Sequence, residues 1–255
     1  MVGRRVVGGE ALVAGAAALW ALIGVCTREL ADLGMAAEDV GAWRALIGGA
    51  CFVVHLAVRG PGLRRPAPGS DRSRPAGDVS LPDRLRAAWL PLVGFAVIGI
   101  VVFYVSLPLA VDTGGISLAY VLLYTAPIWV IRAAAVFLGE RLAPPLVVAA
   151  AVSVLGVVAL VASAGGTVNV TAVSVTWGLV SGLSYSSYYI LGRRLFDRLG
   201  ATLVYALVLP AGGIVLAAAV GIAMPTAAML GWLALLGFGC TYLPYLLFGI
   251  GITRT

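Results

Sequence analysis

The feature that most constrains the fold is the length of the chain's uncharged stretches. Residues 142–192 contain no Asp, Glu, Lys or Arg, and neither do residues 199–253. About 20 helical residues cross the ~30 Å hydrocarbon layer of a membrane, so each stretch is long enough for two spans and a turn. A soluble domain is roughly a quarter charged, whereas the charged fraction here is 11%. The chain is therefore predicted to be an all-α, multi-pass integral membrane protein.

The arginines predict how the spans are oriented. We expect eight spans, placed by apolar runs and turn residues at about 11–27, 40–58, 87–111, 119–142, two within 142–192 and two within 199–253. All 17 basic residues are Arg, and 13 of them lie in clusters at 4–5, 59–86, 141 and 193–198. A cytoplasmic N-terminus places every cluster on the cytoplasmic side, as the positive-inside rule requires. The expected location is the cell inner membrane.

Residues 59–86 form the longest segment without an apolar pattern, and they are rich in Arg and Pro. We predict a flexible cytoplasmic loop whose arginines lie beside anionic lipid headgroups. The positive net charge comes mainly from arginines that lie between apolar runs, where their retention on the cytoplasmic side explains them. No nucleic-acid partner is therefore expected. The sequence does not determine the oligomeric state.

The titratable residues argue against several kinds of chemistry. Cys26, Cys51 and Cys240 lie in apolar stretches without metal-ligand spacing, so we interpret them as small buried hydrophobes. His55 is the only histidine, and the chain contains no Lys for a phosphate-binding GxxxxGK[ST] loop. No metal, cofactor or ATP-driven motor is expected. An intramembrane enzyme, the less favoured alternative, would need clustered His, Asp or Glu at membrane depth.

The stretch Ala119–Leu142 (AYVLLYTAPIWVIRAAAVFLGERL) is an apolar run with Pro127 near its middle and one internal charge, Arg132. Proline removes a backbone donor and crowds the preceding turn, so the helix should bend or open there. In a membrane, such a break is tolerated where neighbouring helices or a wet cavity satisfy the freed carbonyl. The run predicts a broken helix beside a cavity, which is typical of transporters.

The same stretch resembles the fourth helix of the EamA domain in the drug/metabolite transporter superfamily. The matching residues are Tyr124, Ala126-Pro127 and the closing run Phe137-Leu138-Gly139-Glu140-Arg141-Leu142. The resemblance implies ten helices in two inverted five-helix repeats and a non-enzymatic carrier, an exporter of small organic metabolites working by alternating access. It does not fix the substrate, because the family handles amino acids, sugars, nucleotide-linked compounds and drugs.

Weak internal similarity supports a repeat. Trp20 precedes Arg28 by the same spacing as Tyr185 precedes Arg193, and Trp89 precedes Gly94-Phe95 as Trp232 precedes Gly237-Phe238. We assign residues 1–165 to a first repeat and 166–255 to a partial second repeat. Two of the ten helices then lie beyond Thr255, so we expect a C-terminally incomplete chain. The alternatives are an inactive or scaffolding fragment, or a ten-helix interpretation that is wrong for this protein.

Two arginines fall inside predicted spans. Arg132 is predicted either to bind a carboxylate or phosphate of the substrate or to reach the cytoplasmic interface. Arg44 lies near one end of the second span, where reaching the interface is favoured over facing a cavity. Arginine does not titrate usefully. Facilitated or exchange transport therefore fits at least as well as proton coupling.

Aromatic residues complete the candidate cavity. Tyr120 and Tyr124 share a helix face at i, i+4, as do Tyr185 and Tyr189. The alternative role for such residues is an interfacial belt or helix packing. The full candidate substrate site is Trp20, Tyr104, Tyr120, Tyr124, Pro127, Arg132, Tyr185 and Tyr189. Structural roles are expected for Gly139 and Glu140 at a helix end, and for Gly178 and Gly182, a GxxxG step suited to close helix packing.

Overall fold

The structure is a computed structural model that describes residues 3–60, 80–138 and 169–252, together with isolated positions between 148 and 163. Those residues form helices and short turns, without a strand among them. The predicted all-α class is therefore correct. Gly139, Glu140, most of the 59–86 loop and the repeat boundary at 165 lie outside the described residues.

The first three continuous helical stretches, residues 8–32, 37–59 and 81–114, extend beyond the predicted spans. In chain order the helices are α1 Gly3–Ala21, α2 Ile23–Asp32, α3 Ala37–Arg59, α4 Leu81–Gly94, π1 Phe95–Val102, α5 Phe103–Gly114, α6 Ile116–Leu123, α7 Ala126–Leu138, α8 Ala172–Leu199, α9 Ala201–Val220, α10 Ala227–Ala234, π2 Leu235–Tyr242 and α11 Leu243–Ile252. Here π1 and π2 are π-helical segments within continuous helices. Among the described residues, five helices are long and apolar enough to cross a membrane: 8–32, 37–59, 81–114, 201–220 and 227–251.

Two predicted cytoplasmic loops are partly helical, which corrects the sequence interpretation. Helix α4 begins at Leu81, so Arg84 and Arg86 lie on a helix, and α8 continues through Arg194 and Arg198. Arg198 lies in the last turn of α8, where a cation interacts favourably with the negative end of the helix dipole. Arg84 and Arg86 lie near the start of α4, where the dipole gives no such benefit. An arginine cluster therefore does not mark the end of a helix.

The chain divides into two compact units, a first unit of residues 1–93 and 194–255 and a second unit of residues 94–193. Each unit combines helices from both predicted repeats. The boundary predicted at residue 165 describes a sequence repeat, which need not coincide with a unit of packing.

Helix α3 lies at the centre of the first unit and packs against α9 through glycines. A Cβ added to Gly49 would lie 2.7 Å from the Pro210 ring, and one added to Gly213 would lie 3.0 Å from the Leu46 side chain. Numbers rise along one helix while they fall along the other, so α3 and α9 are antiparallel. Without side chains at these positions the two backbones approach closely, as in many membrane bundles.

Two more helix pairs complete the first unit. Gly48 of α3 faces Thr241 of π2, where an added Cβ would lie 2.8 Å from the threonine methyl, and Gly237 faces Ile47, so this pair is parallel. Helices α1 and α11 are antiparallel, with Trp20 against Tyr245 and Phe248 and Val13 against Gly251.

The second unit is organised around α8. Gly99 of π1 lies against Ser187, and Gly114 of α5 lies against Ser174, so this pair of helices is antiparallel. Helix α6 runs parallel to α8 and meets it at Gly178 and Gly182. The small residues of α8 allow its neighbours to approach closely on two sides.

Candidate functional site

The fourth predicted span is broken, as Pro127 led us to expect. The turn Tyr124–Thr125 separates α6 from α7, and Pro127 is the second residue of α7. Its nitrogen carries no hydrogen and cannot donate to the carbonyl of Leu123, so the helical ladder stops there. The break lies one turn earlier than the proline because the missing bond belongs to the preceding turn.

The side chain of Thr125 adds two hydrogen bonds at the break. Its hydroxyl donates to the carbonyl of Leu122 at 2.6 Å and accepts from the indole nitrogen of Trp129 at 3.2 Å. Gly182 of α8 lies directly against this break: an added Cβ would be 2.7 Å from the Leu122 oxygen and 3.0 Å from the Thr125 hydroxyl. The broken backbone is therefore supported by α6, α7 and α8 together.

The break brings four tyrosines together, which we name the tyrosine cluster. Tyr120 and Tyr124 have ring centroids 6.3 Å apart, and Tyr185 and Tyr189 are 5.8 Å apart. Tyr124 is also within electrostatic range of Tyr189. Tyr124 is 46% exposed and Tyr189 42% exposed, so both phenols are accessible at the surface of the second unit.

Other aromatic rings form the base of the tyrosine cluster. The ring centroid of Phe103 in α5 lies 5.5 Å from that of Tyr185 and 6.1 Å from that of Tyr188. The ring centroids of Phe95 in π1 and Tyr188 are 4.9 Å apart. Tyr104, a predicted cavity residue, is buried beside Phe103. The base is therefore buried and packed, whereas Tyr124 and Tyr189 are exposed.

Helix α8 carries a buried polar face that the sequence interpretation included only in part. Ser181, Ser184 and Ser187 are buried, and the Ser187 hydroxyl has no hydrogen-bond partner among the described residues. Because of its serines and tyrosines, α8 is not among the five helices apolar enough to be candidate spans. The i, i+3 spacing of these serines was the available signal for a polar stripe. Such a stripe suits the inside of a helical unit better than lipid.

Two other predicted site residues have different surroundings. Trp20 belongs to the first unit, where its ring centroid lies 5.6 Å from that of Tyr245 and 5.4 Å from that of Phe248. Arg132 lies on α7 with an exposed side chain. Within the second unit, the structure gathers Tyr120, Tyr124, Tyr185 and Tyr189 of the predicted set.

Arg44 requires a correction, because the expectation that it reaches the membrane interface is wrong. It is 8% exposed, and its Nε donates to the hydroxyl of Thr241 in π2 at 2.9 Å. Thr241 in turn donates to the carbonyl of Leu236 at 2.9 Å. The sequence interpretation named Arg132 as the central charge, yet Arg44 is the buried arginine of the described spans. A charge in such a position is retained where it has defined partners.

The sequence interpretation did not include the pair His55 and Tyr242. Nδ1 of His55 lies 2.7 Å from the phenol oxygen of Tyr242, across 187 residues of chain. Phe52 contacts the same phenol ring edge-on at 4.8 Å. No local pattern could have paired these residues, because one lies in α3 and the other in π2.

Similarity to known proteins identifies the family. No protein of curated function matches the chain in sequence. One crystal structure of another protein superimposes with a TM-score of 0.71 at 19% identity, covering 96% of this chain and 79% of its own, which shows a shared fold. The profile of the EamA-like transporter family matches residues 7–162, more than half of the chain. The chain therefore belongs to the EamA-like transporter family, a family of membrane transporters.

Proposed function

We propose that the chain is a secondary transporter that moves a small organic solute by alternating access, with the tyrosine cluster as its solute site. The observation that carries this proposal is that Tyr124, at a helix break packed against Gly182 of α8, lies within electrostatic range of Tyr189 on the same polar helix. Aromatic faces bind planar or apolar groups, and phenol hydroxyls bond to polar ones. The proposed substrate therefore combines an apolar or planar part with at least one hydrogen-bonding group.

Helix directions support the eight-span topology within this proposal. Spans of odd and even number cross the membrane in opposite directions. The antiparallel pairs α3/α9 and α1/α11 and the parallel pairs α3/π2 and α6/α8 all agree with that alternation. Residues at or beside the predicted external turns also meet: Asn169 donates to the carbonyl of Thr113 at 3.2 Å, and Trp43 donates to that of Ala223 at 3.0 Å.

The remaining parts of the proposal rest on the sequence. We propose inverted repeats, an inner-membrane location with a cytoplasmic N-terminus, and anionic lipid beside loop 59–86. Both π segments lie in the third helix of a predicted repeat, which favours the repeat. The family resemblance favours export, and a gradient would drive it, since the chain has no Lys for a phosphate-binding loop. Arg132 is proposed to meet an anionic group of the solute.

Transport by the purified chain in liposomes tests the proposal. Radiolabelled amino acids, sugars and nucleosides are supplied one class at a time, with the same unlabelled compound inside. We expect at least one class to accumulate above the level of protein-free liposomes. Tyr124→Ala and Tyr189→Ala should each lower that uptake about fivefold, since an aromatic contact contributes roughly 1 kcal/mol.

Leu183→Ala is the matched control, because Leu183 lies on α8 near Tyr185 and is 51% exposed. Its uptake should equal that of the wild type. Equal uptake by both tyrosine variants would place the solute site elsewhere. The absence of uptake for every class would contradict transport by this chain.

A further inference from the structure

The end of π2 is held by α3 at two consecutive residues. Arg44 bonds to Thr241 at 2.9 Å, and His55 bonds to Tyr242, the last residue of π2, at 2.7 Å. A π-helical turn is wider than an α-helical turn, is rarely stable by itself and is common at functional sites. Contacts from a neighbouring helix therefore contribute to whether this segment keeps its π geometry.

The His55–Tyr242 bond lies among aromatic rings. The ring centroid of Tyr242 lies 4.8 Å from that of Phe52 and 5.4 Å from that of Phe238. Both His55 and Tyr242 are partly buried. Charged and titratable groups face the pair from its own helix and from a neighbour. They are Cys51 and Arg59 on α3, both in electrostatic range of Tyr242, and Tyr205 on α9, which reaches the pair through Phe52.

Protonation of His55 changes the direction of its hydrogen bond to Tyr242. In neutral imidazole one nitrogen donates and the other accepts, whereas in the protonated ring both donate. When His55 is neutral and its Nδ1 carries no hydrogen, Nδ1 accepts a hydrogen bond from the Tyr242 hydroxyl. After protonation, Nδ1–H donates to the phenol oxygen, and the phenol hydrogen must turn to another acceptor. The added charge also lies one helical turn from Arg59, which repels it.

We propose that His55 and Tyr242 form a proton-binding site whose occupancy controls how firmly α3 holds π2. The proton arrives from water, binds Nδ1 of His55 and returns to water, so no other reactant is needed. Reversal of the bond and repulsion from Arg59 loosen the end of π2 when the proton is bound. The inference rests on the proposed secondary transport, for which it makes the proton the coupling ion.

The single histidine makes a direct test possible. The full chain, labelled with 15N-histidine and purified with a tag that contains no histidine, is studied in lipid nanodiscs by NMR. The ring nitrogen signals should report protonation as the pH is lowered. Over the same pH range, hydrogen exchange at residues 235–242, corrected for its intrinsic pH dependence, should become faster.

Substitutions then assign the effect to the pair. Tyr242→Phe should remove the dependence of this exchange on pH, because the phenol that links His55 to π2 is lost. Tyr245→Phe removes a phenol from a buried tyrosine of the same unit and should leave that dependence unchanged. His55→Gln should keep exchange at residues 235–242 at its high-pH level throughout, and it serves if Tyr242→Phe does not fold.

Several results would overturn the inference: ring signals that do not change between pH 5 and 9, pH-dependent exchange in π2 that persists in Tyr242→Phe, or exchange in π2 that is independent of pH. Solute uptake in liposomes separates this failure from failure of the proposed function. Uptake that persists equally at every pH retains transport and removes the proton site. A titrating His55 that controls π2 in a chain without uptake retains the site and removes its coupling role.

Discussion

At the scale of single residues, the second unit depends on glycines at positions where no side chain fits. A Cβ at Gly182 would lie 2.7 Å from the carbonyl oxygen of Leu122, a backbone atom that cannot easily move. Gly182→Ala should therefore lower the free energy of unfolding by about 1–3 kcal/mol, as overpacking usually does. Thermal unfolding in detergent measures the change.

Gly231→Ala is the control for that substitution. An added Cβ at Gly231 meets nothing within 4 Å, and alanine is the better helix former by about 1 kcal/mol. The control should be as stable as the wild type or more stable. Equal melting temperatures for both variants would contradict the close approach of α6 to α8.

Arg44 is the second residue whose packing can be tested. Arg44→Lys keeps a buried charge but loses the Nε donor to Thr241, so stability should fall by about 1.5–3 kcal/mol. Arg28→Lys, at an exposed position of α2, is the control and should change little. Thermal unfolding in nanodiscs compares the two. An effect no larger at Arg44 than at Arg28 would show that the bond to Thr241 does not stabilise the fold.

Some contacts at this scale could be predicted from the sequence and others could not. The i, i+4 pairs Tyr120/Tyr124 and Tyr185/Tyr189 follow from helical periodicity alone. The expectation for Arg44 was wrong because position along a span says nothing about which neighbour faces it. Tyr242, the partner of His55, is distant in sequence and required the three-dimensional structure.

At the scale of elements, the break between α6 and α7 and the two π segments differ in origin. The break was predictable because proline acts on its own preceding turn. Segments π1 and π2 were not, because their geometry depends on neighbours. In π2, for example, the hydroxyl of Thr241 bonds to Leu236 and to Arg44. No local residue pattern encodes such a pair of bonds.

The break gives a prediction about local stability. Pro127→Ala restores a backbone donor for the Leu123 carbonyl, so hydrogen exchange at residues 122–128 should slow by about tenfold or more. Pro108→Ala, within the unbroken helix α5, should leave exchange at residues 122–128 unchanged. Mass spectrometry of peptides covering the turn measures both. Unchanged exchange in Pro127→Ala would mean that packing, rather than the proline, holds the turn open.

At the scale of the whole molecule, hydropathy and arginine clusters predicted a multi-pass helical fold, and the family match agrees with it. They misplaced helix ends, because helices such as α8 continue past the hydrocarbon layer. Hydropathy alone also excludes α8 from the candidate membrane spans, although several of its serines are buried inside its unit. The division into two compact units was not predictable, because it depends on contacts between distant helices.

Topology can be tested on a chain in which Cys26, Cys51 and Cys240 are replaced by alanine. Single cysteines are then introduced by Ser73→Cys in loop 59–86 and by Asn169→Cys in the turn that bonds to Thr113. In sealed inside-out vesicles, an impermeant thiol reagent should label the first and spare the second, and right-side-out vesicles should give the reverse. Labelling of both from one side would contradict the eight-span topology.

The same cysteine-free chain gives the most direct test of the central claim, that the tyrosine cluster faces a water-filled solute site. Tyr124, Tyr189 and Leu183 are 46%, 42% and 51% exposed, so exposure alone does not distinguish them. A charged, membrane-impermeant thiol reagent applied to the protein in a bilayer should label Tyr124→Cys and Tyr189→Cys and leave Leu183→Cys unlabelled, because the proposal places apolar Leu183 toward lipid. Equal labelling at all three positions, or labelling only at Leu183→Cys, would contradict the account.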